Sequence, residues 1–146
     1  MFGFPANIST GNDVVFYDNT VFEFGHESFF SIGDHVVFSY GVICSCRKSI
    51  VIGSNVLIGE YTSVRDSTHD HTETGQPMRL NKDIQGAISI GNNVWIGRGC
   101  IIMPGSVIED GVVVGANSVI KGSLKKDGIY AGTPCQLIKM RSNTAS

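Results

Sequence analysis

The chain has 146 residues, 42% of them hydrophobic, and a formal net charge of -2. This length suits one domain with a buried core, and the small net charge excludes a whole-chain attraction to nucleic acid or to an anionic membrane. Residues Met1 to Pro5 lack the basic start of a signal peptide, and no apolar run approaches membrane-spanning length, so we expect a cytoplasmic protein.

Residues 1–31 contain two short strand-like runs, at residues 14–17 and 21–22, but these runs have no regular spacing. The residues that follow do have such a spacing, and the open end of a repeat structure needs a cover. We therefore predict that residues 1–31 form an irregular N-terminal coil that caps the core.

A six-residue repeat begins at Ile32. The repeating positions are Ile32, Phe38 and Cys44, followed by Ile52, Ile58 and Val64. Glycine directly follows Ile32, Ile52 and Ile58. A helical period would drift away from six, and simple strand alternation does not explain the intervening turn formers. The pattern predicts short strands joined by tight turns.

The repeat is interrupted between Ile52 and Ile90, whose separation is about twice the spacing of equivalent positions elsewhere in the chain. The interval therefore contains an insertion of about 20 residues. Residues Asp70 to Pro77 are polar, rich in turn formers and without a period, so we predict an extruded loop over about residues 70–88. Repeat proteins normally carry such a loop on their working face.

The repeat is most regular between residues 90 and 120. Its aliphatic positions there are Ile90, Ile96, Ile102, Ile108, Val114 and Ile120. Three hexapeptides form one coil of 18 residues, and each aliphatic side chain points into one continuous core. The sequence thus predicts an all-β chain folded as a parallel β-helix.

The pattern loosens after Ile120, and we predict that residues 126–146 form a C-terminal cap made of a strand or a brief turn of helix. Residues 1–146 then make a single β-helix domain. The flat sides and coil edges of a solenoid favour self-association, and a closed homotrimer would suit a triangular prism.

The cysteines Cys44, Cys46, Cys100 and Cys135 do not have the C-x-x-C spacing of a zinc or redox site. Cys100 occupies a repeat position that requires a small buried side chain. We predict that all four are reduced thiols in the core or in turns, without a metal-binding or nucleophilic role.

Two histidines flank the point where the chain leaves the regular coil. A histidine titrates near neutrality, so His69, held beside the insertion with carboxylates nearby, is our candidate for a general base. His71 is the second choice because it lies on the expected loop. His26 and His35 occupy turn positions, where solvated side chains are the simpler interpretation.

Four segments carry a resemblance to a known family. They are Ile88–Gly97, Met103–Gly105, Val114–Val119 and Ala131–Cys135. These segments resemble the hexapeptide-repeat O-acetyltransferases, most of all the maltose, galactoside and surface-polysaccharide acetyltransferases. The resemblance implies a left-handed β-helix and a homotrimer in which acetyl-CoA and the acceptor meet in a cleft between neighbouring subunits, without a metal.

The resemblance also assigns roles to single residues. His69 stands at the position of the catalytic general base. The positions that match coenzyme A contacts are Trp95, Arg98, Gly115, Ala116, Lys121, Thr133 and Lys139. Gln136 stands where relatives often have arginine, and Ser39 and Cys46 or Arg47 stand near the sugar-binding positions of galactoside enzymes. The resemblance therefore implies a different acceptor pocket.

These features together predict an acetyl-CoA-dependent acetyltransferase that acts on a hydroxyl of a sugar or polysaccharide precursor. An N-acetyltransferase acting on an amino sugar or its nucleotide form remains an alternative. A metal enzyme like the γ-class carbonic anhydrases is a weaker one, because His69 and His71 lack a third ligand at their level. A non-catalytic β-helix would leave His69 and the loop unexplained.

Overall fold

The computed structural model describes residues 6–142, which form the predicted all-β, left-handed parallel β-helix of hexapeptide repeats with one extruded loop. The chain visits three parallel sheets in turn, and each round of three strands is one coil. The three faces therefore meet at three corners, which we number in chain order. The first corner follows the first sheet, the second follows the second, and the third leads back to the first sheet.

The strands of the sheets are as follows. The first sheet contains β1 (Asn7–Thr10), β4 (Phe29–Ile32), β7 (Ser49–Ile52), β12 (Ile88–Ile90), β15 (Val107–Ile108) and β18 (Ser123–Leu124). The second contains β2 (Val15–Phe16), β5 (Val37–Phe38), β8 (Leu57–Ile58), β13 (Trp95–Ile96), β16 (Val113–Val114), β19 (Gly128–Ala131) and β20 (Gln136–Met140). The third contains β3 (Val21–Phe24), β6 (Ile43–Cys46), β9 (Ser63–Arg65), β14 (Ile101–Ile102) and β17 (Val119–Ile120).

The six-residue repeat corresponds to the inward-facing positions of these strands. Ile52 pairs with Ile90, and Ile90 pairs with Ile108, so the same residue of each coil stacks on the next. All three side chains are buried in one core that runs the length of the helix. The stacking explains why the period persists: each coil buries its aliphatic residues against identical positions in its neighbours.

The corners are closed by hydrogen bonds from one coil to the next. At the first corner, Asp110 Oδ1 accepts the Asn92 N–H at 2.7 Å, and Asn92 Oδ1 accepts the Ser54 N–H at 2.8 Å. Asn93, the next turn residue, has a φ of 55°, a conformation that asparagine tolerates better than most residues. These side chains explain the polar residues that stand two positions after the repeated isoleucines of the first sheet.

The insertion is a β-hairpin at the third corner. It consists of β10 (Ser67–His69) and β11 (Asp83–Gln85), which pair antiparallel, with a short 3-10 helix (Met78–Leu80) between them. The chain rejoins the coil at Gly86, whose N–H donates to the Asp66 carbonyl at 2.8 Å. The predicted loop is thus confirmed, but it begins with a paired strand before residue 70.

The first coil pairs in register with the second although its spacing is hidden in the sequence. Asn7 pairs with Phe29 and Val21 with Ile43, so this coil is longer than the regular coils that follow the insertion. The inward side chains of this coil, such as Phe16, remain about half exposed at the end of the helix. Residues 1–5, which belong to the expected cap, lie outside the described residues.

The opposite end is finished by a reversal of the chain. Strand β20 pairs antiparallel with β19 and thereby covers the last parallel edge of the second sheet. Residues 143–146 lie outside the described part of the chain. Within residues 6–142, no helix has the length and apolar character needed to span a membrane.

Candidate active site

The base of the hairpin brings a carboxylate against the candidate histidine. His69, the last residue of β10, pairs with Asp83, the first residue of β11. The Asp83 Oδ1 atom lies 3.3 Å from His69 Nδ1, and the His69 side chain is 69% exposed. A carboxylate at this distance favours the tautomer with a proton on Nδ1, so that Nε2 keeps its lone pair on the other side of the ring.

The sequence reasoning did not identify Asp83 as the partner of His69. The polar loop separates the two residues, and several other acidic residues lie closer to His69 in the chain. Only the antiparallel register of the hairpin places Asp83 opposite it. A stretch such as Asp83-Ile84-Gln85 after a polar loop could have indicated a returning strand, but not its register.

His69 and Asp83 line a cavity of about 290 Å³ at the third corner. The other lining residues are Arg47, Arg65, Ser67 and Thr68. Arg65 lies at the end of β9, and its Nη2 is 3.9 Å from Glu23 Oε2 in an exposed pair. The cavity therefore combines a histidine, its carboxylate partner and two guanidinium groups.

A buried carboxylate fixes the turn that carries Arg47. Asp66, fully buried at the root of the hairpin, accepts backbone hydrogen bonds from Arg47 at 2.7 Å and from Lys48 and Ser49 at 2.8 Å each. A carboxylate that is fully satisfied by N–H donors is stable even when it is buried. Asp66 thus ties together the arginine turn and the strand that leads to His69.

Neither His71 nor His35 lines this cavity. His71, the second choice for the base, is exposed two residues beyond the end of β10 and does not line the cavity. His35 lies 3.4 Å from Asp13 in an exposed pair. Among residues 6–142, no group of three histidine, cysteine, aspartate or glutamate side chains is arranged to hold a metal ion.

The cysteines are free thiols, and Cys44, Cys46 and Cys100 are buried. Burial raises the pKa of Cys44 from 9.0 to about 12, and the neighbouring Cys46 contributes in the same direction. Burial, followed by the Asp66 carboxylate, raises the pKa of Cys46 to about 11. These thiols stay protonated at neutral pH, which is the opposite of an activated nucleophile.

A second groove, of about 410 Å³, lies at the second corner. It gathers four of the predicted coenzyme A residues, namely Trp95, Arg98, Gly115 and Ala116, together with Glu60. Trp95 is 54% exposed on the outer face of β13. Gly97 lets the next coil approach closely at the floor of the groove, because a Cβ there would come within 2.7 Å of the Ala116 nitrogen in that coil.

The remaining predicted coenzyme A residues do not line this groove. Thr133 lies one coil further along the second corner, where the N–H of the preceding Gly132 donates to Ser118 Oγ at 3.0 Å. Lys121 follows β17 and therefore lies at the third corner. Lys139 lies in β20, paired with Ile129 at the edge of the second sheet.

The two cavities have no lining residue in common. The groove lies where the second sheet meets the third, and His69 lies where the third sheet meets the first. The third sheet separates them within one chain. A reaction that needs residues of both cavities would therefore draw them from two neighbouring copies.

Comparisons with known proteins agree with this architecture. Residues 87–122 match the family model of the bacterial transferase hexapeptide, six repeats. WbbJ of Escherichia coli K12, named for lipopolysaccharide biosynthesis O-acetyl transfer, is 35% identical over 118 residues, which cover 76% of this chain and 59% of WbbJ. A Dictyostelium discoideum protein named as an acetyltransferase is 31% identical over 133 residues, which cover 90% of this chain and 67% of that protein.

A solved structure is similar as well. The hexapeptide-repeat acetyltransferase of Vibrio cholerae, complexed with acetyl coenzyme A, superimposes with a TM-score of 0.80 at 28% sequence identity. The match covers 92% of this chain and 72% of that one. The chain spans about three fifths of the length of WbbJ. Its repeat, its fold and these relatives show that the chain belongs to the hexapeptide-repeat transferase family, as the resemblance of its motifs predicted.

Proposed function

We propose that this chain is an acetyl-CoA-dependent acetyltransferase that transfers an acetyl group to a hydroxyl of a sugar or polysaccharide precursor, with His69 as the general base. The observation that carries this proposal is the Asp83 carboxylate 3.3 Å from His69 Nδ1 in the wall of a cavity. The acetyl coenzyme A in the Vibrio cholerae structure supports the donor. The name of WbbJ supports the acceptor class.

The chemistry follows from the orientation of the imidazole. With its Nδ1 proton held towards Asp83, His69 accepts the acceptor hydroxyl proton at Nε2. The hydroxyl oxygen attacks the carbonyl carbon of the thioester, and a C–O bond forms. The C–S bond then breaks, and the departing thiolate takes the proton from the imidazolium. Atoms and charge balance without an acyl-enzyme.

The groove at the second corner is the proposed site of the donor. Backbone groups at Gly115 and Ala116 are accessible to an extended pantetheine arm because neither residue has a long side chain. Arg98 supplies a cation for a phosphate, and Trp95 supplies an apolar wall. Thr133 and Lys139 remain predicted contacts further along the donor, and Lys121, at the third corner, would contact it only from a neighbouring copy.

We also propose a homotrimer with active sites between subunits. In a closed ring, each copy contacts the next through two different parts of its surface. In the proposed trimer, these parts are the third corner with His69 on one copy and the groove at the second corner on the next. Ile43 and Ile101, apolar side chains exposed on the third sheet between the two corners, would then gain cover. A cytoplasmic location suits the four free cysteines and stays part of the proposal.

The test is acetyl transfer from acetyl-CoA by the purified protein. Release of the free thiol is followed with neutral sugars, acidic sugars, nucleotide sugars and amino sugars as acceptors, and His69→Ala is the control. The proposal requires O-acetylated product with wild type, and a loss of about 10²-fold or more in kcat with the variant. Product acetylated only on nitrogen would favour the N-acetyltransferase instead.

Two results would contradict the assignment. Wild-type rates in His69→Ala would remove His69 as the base, and His71→Ala would then be tested in the same assay. Failure to bind acetyl-CoA in calorimetry would remove the enzyme interpretation altogether.

A further inference from the structure

Resting on the proposed function, we infer that the acceptor of this site carries an anionic group, a phosphate or a carboxylate, which Arg47 and Arg65 bind while the hydroxyl lies at His69. The three side chains line the same cavity of about 290 Å³. The inference concerns the acceptor only and is independent of the donor groove at the second corner.

The lining of the cavity carries a net positive charge. It holds two guanidinium groups and one carboxylate, and that carboxylate, Asp83, lies against His69. Arg65 is loosely engaged, at 3.9 Å from Glu23. The Arg47 guanidinium has no hydrogen-bond or ion-pair partner within residues 6–142. A positive wall of this kind favours an anionic ligand.

Arg47 is held in place by the fold. Its backbone N–H donates to Asp66, which is fully buried, at 2.7 Å. Its side-chain stem packs against Gly25, where a Cβ would come within 2.9 Å of Arg47 Cδ. The first contact fixes the backbone that carries the side chain, and the second limits the space open to its stem, so less freedom is lost when a ligand binds.

The guanidinium group of arginine suits an anion in its geometry. Its parallel N–H donors match the two oxygens of a carboxylate or a phosphate, whereas a neutral hydroxyl accepts only one of them. A sugar with such an anionic substituent would place the charge at the arginines and another hydroxyl at His69. The arginines would thus select the substrate and orient it for the base.

The experiment measures binding and turnover separately. Hexoses of three configurations (gluco, galacto and manno) are compared as methyl glycosides, 1-phosphates and uronates, first by calorimetry without acetyl-CoA and then by thiol release with it. We expect at least one anionic form to bind and react at least about tenfold better than its methyl glycoside. The phosphate and carboxylate arms identify which anion the site uses.

The variants are Arg47→Gln, Arg65→Gln and the control Lys48→Gln, which removes an adjacent cation of the same turn that does not line the cavity. Each arginine variant should raise KM for the anionic acceptor about tenfold or more, with KM for acetyl-CoA unchanged. The control should stay within about twofold of wild type, because an exposed cation outside the cavity contributes little.

The inference is overturned if no anionic sugar binds better than its neutral counterpart, or if Lys48→Gln has the same effect as Arg47→Gln. Arginine-dependent binding of the anionic sugar without acetyl transfer would instead contradict the proposed function and leave the anion site standing. Acetyl transfer to neutral sugars with no dependence on Arg47 would contradict the anion site and leave the proposed function standing.

Discussion

Asp83 approaches His69 only because the chain returns to the coil in a particular register. The hairpin pairs the last residue of β10 with the first of β11, which sets the carboxylate 3.3 Å from Nδ1. A histidine without such a partner can present either tautomer, whereas this pair favours the one that leaves Nε2 unprotonated. The proposed base is therefore made of two residues, and the sequence did not indicate which acidic residue would be the partner.

At this scale we predict the effect of removing only the partner. Asp83→Asn should lower kcat for acetyl transfer by about 10–100-fold, because the amide cannot stabilise the imidazolium as the carboxylate does. KM for acetyl-CoA should not change, since Asp83 does not line the donor groove. Steady-state kinetics on wild type, Asp83→Asn and His69→Ala provide the measurement. An unchanged kcat in Asp83→Asn would show that the carboxylate is not needed.

The buried thiols give a prediction about alkaline stability. The pKa of Cys44 is raised to about 12 in the folded protein, against an ordinary value of 9.0. Below pH 9 both states keep the proton, so the stabilisation is complete. Between pH 9 and 12 the unfolded chain loses this proton first, and the free energy of unfolding falls by up to about 1.4 kcal/mol per pH unit.

The measurement is urea unfolding of wild type and Cys44→Ala between pH 7.5 and 11. The variant is expected to be less stable at pH 7.5, because it leaves a cavity, but to lose less stability per pH unit above pH 9. Cys46, whose pKa is raised to about 11, contributes to both proteins and so cancels in the comparison. Parallel pH curves for the two proteins would contradict the assignment of this slope to Cys44.

At the scale of elements, Asp66 forms hydrogen bonds that connect both ends of the hairpin to the coil. The Asp66 side chain accepts three backbone N–H groups of the turn at residues 47–49, and its carbonyl accepts the N–H of Gly86, where the chain returns. The coils of the β-helix before and after the insertion therefore stack directly on each other. Ile52 and Ile90 pair as neighbours although the whole hairpin lies between them in the chain.

We predict that Asp66→Ala lowers the free energy of unfolding by about 2–4 kcal/mol, because it leaves three backbone donors without an acceptor. The matched control is Asp110→Ala, which removes an exposed acceptor of one N–H, that of Asn92, at the first corner. It should cost less than about 1.5 kcal/mol. The free energies of unfolding of both variants are measured by chemical denaturation. Equal losses would show that the three hydrogen bonds to Asp66 stabilise the fold no more than the single bond to Asp110.

At the scale of the whole molecule, a rigid prism holds its two cavities apart. The groove at the second corner and the cavity of His69 have no residue in common, so one chain alone would not bring a donor bound in that groove to the proposed base. The proposed trimer removes this difficulty, because each active site would use one corner from each of two copies. The proposed oligomer is therefore a requirement of the mechanism.

This requirement predicts complementation between two inactive variants. His69→Ala loses the base but keeps an intact groove, and Arg98→Glu loses the groove but keeps an intact base. Co-expressed with different tags and purified as mixed trimers, the two should recover about a third of wild-type activity per site, since one of the three interfaces in every mixed trimer combines two intact halves. The two proteins purified separately provide the baseline. Activity no greater than that baseline would place each active site within one chain.

The coil architecture was predictable because its determinants are local and repeated. Every hexapeptide places an apolar residue inward at the repeat position, and the interval from Ile52 to Ile90 revealed the insertion by length alone. The first coil escaped this reasoning for the same reason: its greater length breaks the spacing although its strands pair in register. The position of His69 beside the insertion could also be inferred from the chain.

The sequence by itself determined the repeat, the core and the corner from which the hairpin emerges, because those depend on interactions between residues at fixed separations. Only the tertiary structure decided what surrounds His69. Asp83 reaches it through the register of a hairpin. Arg47 and Arg65 reach it from consecutive coils, because Arg65 ends β9 and Arg47 directly follows β6, the strand beside it. Such contacts depend on how a strand returns and how coils stack, and no spacing in the chain encodes them.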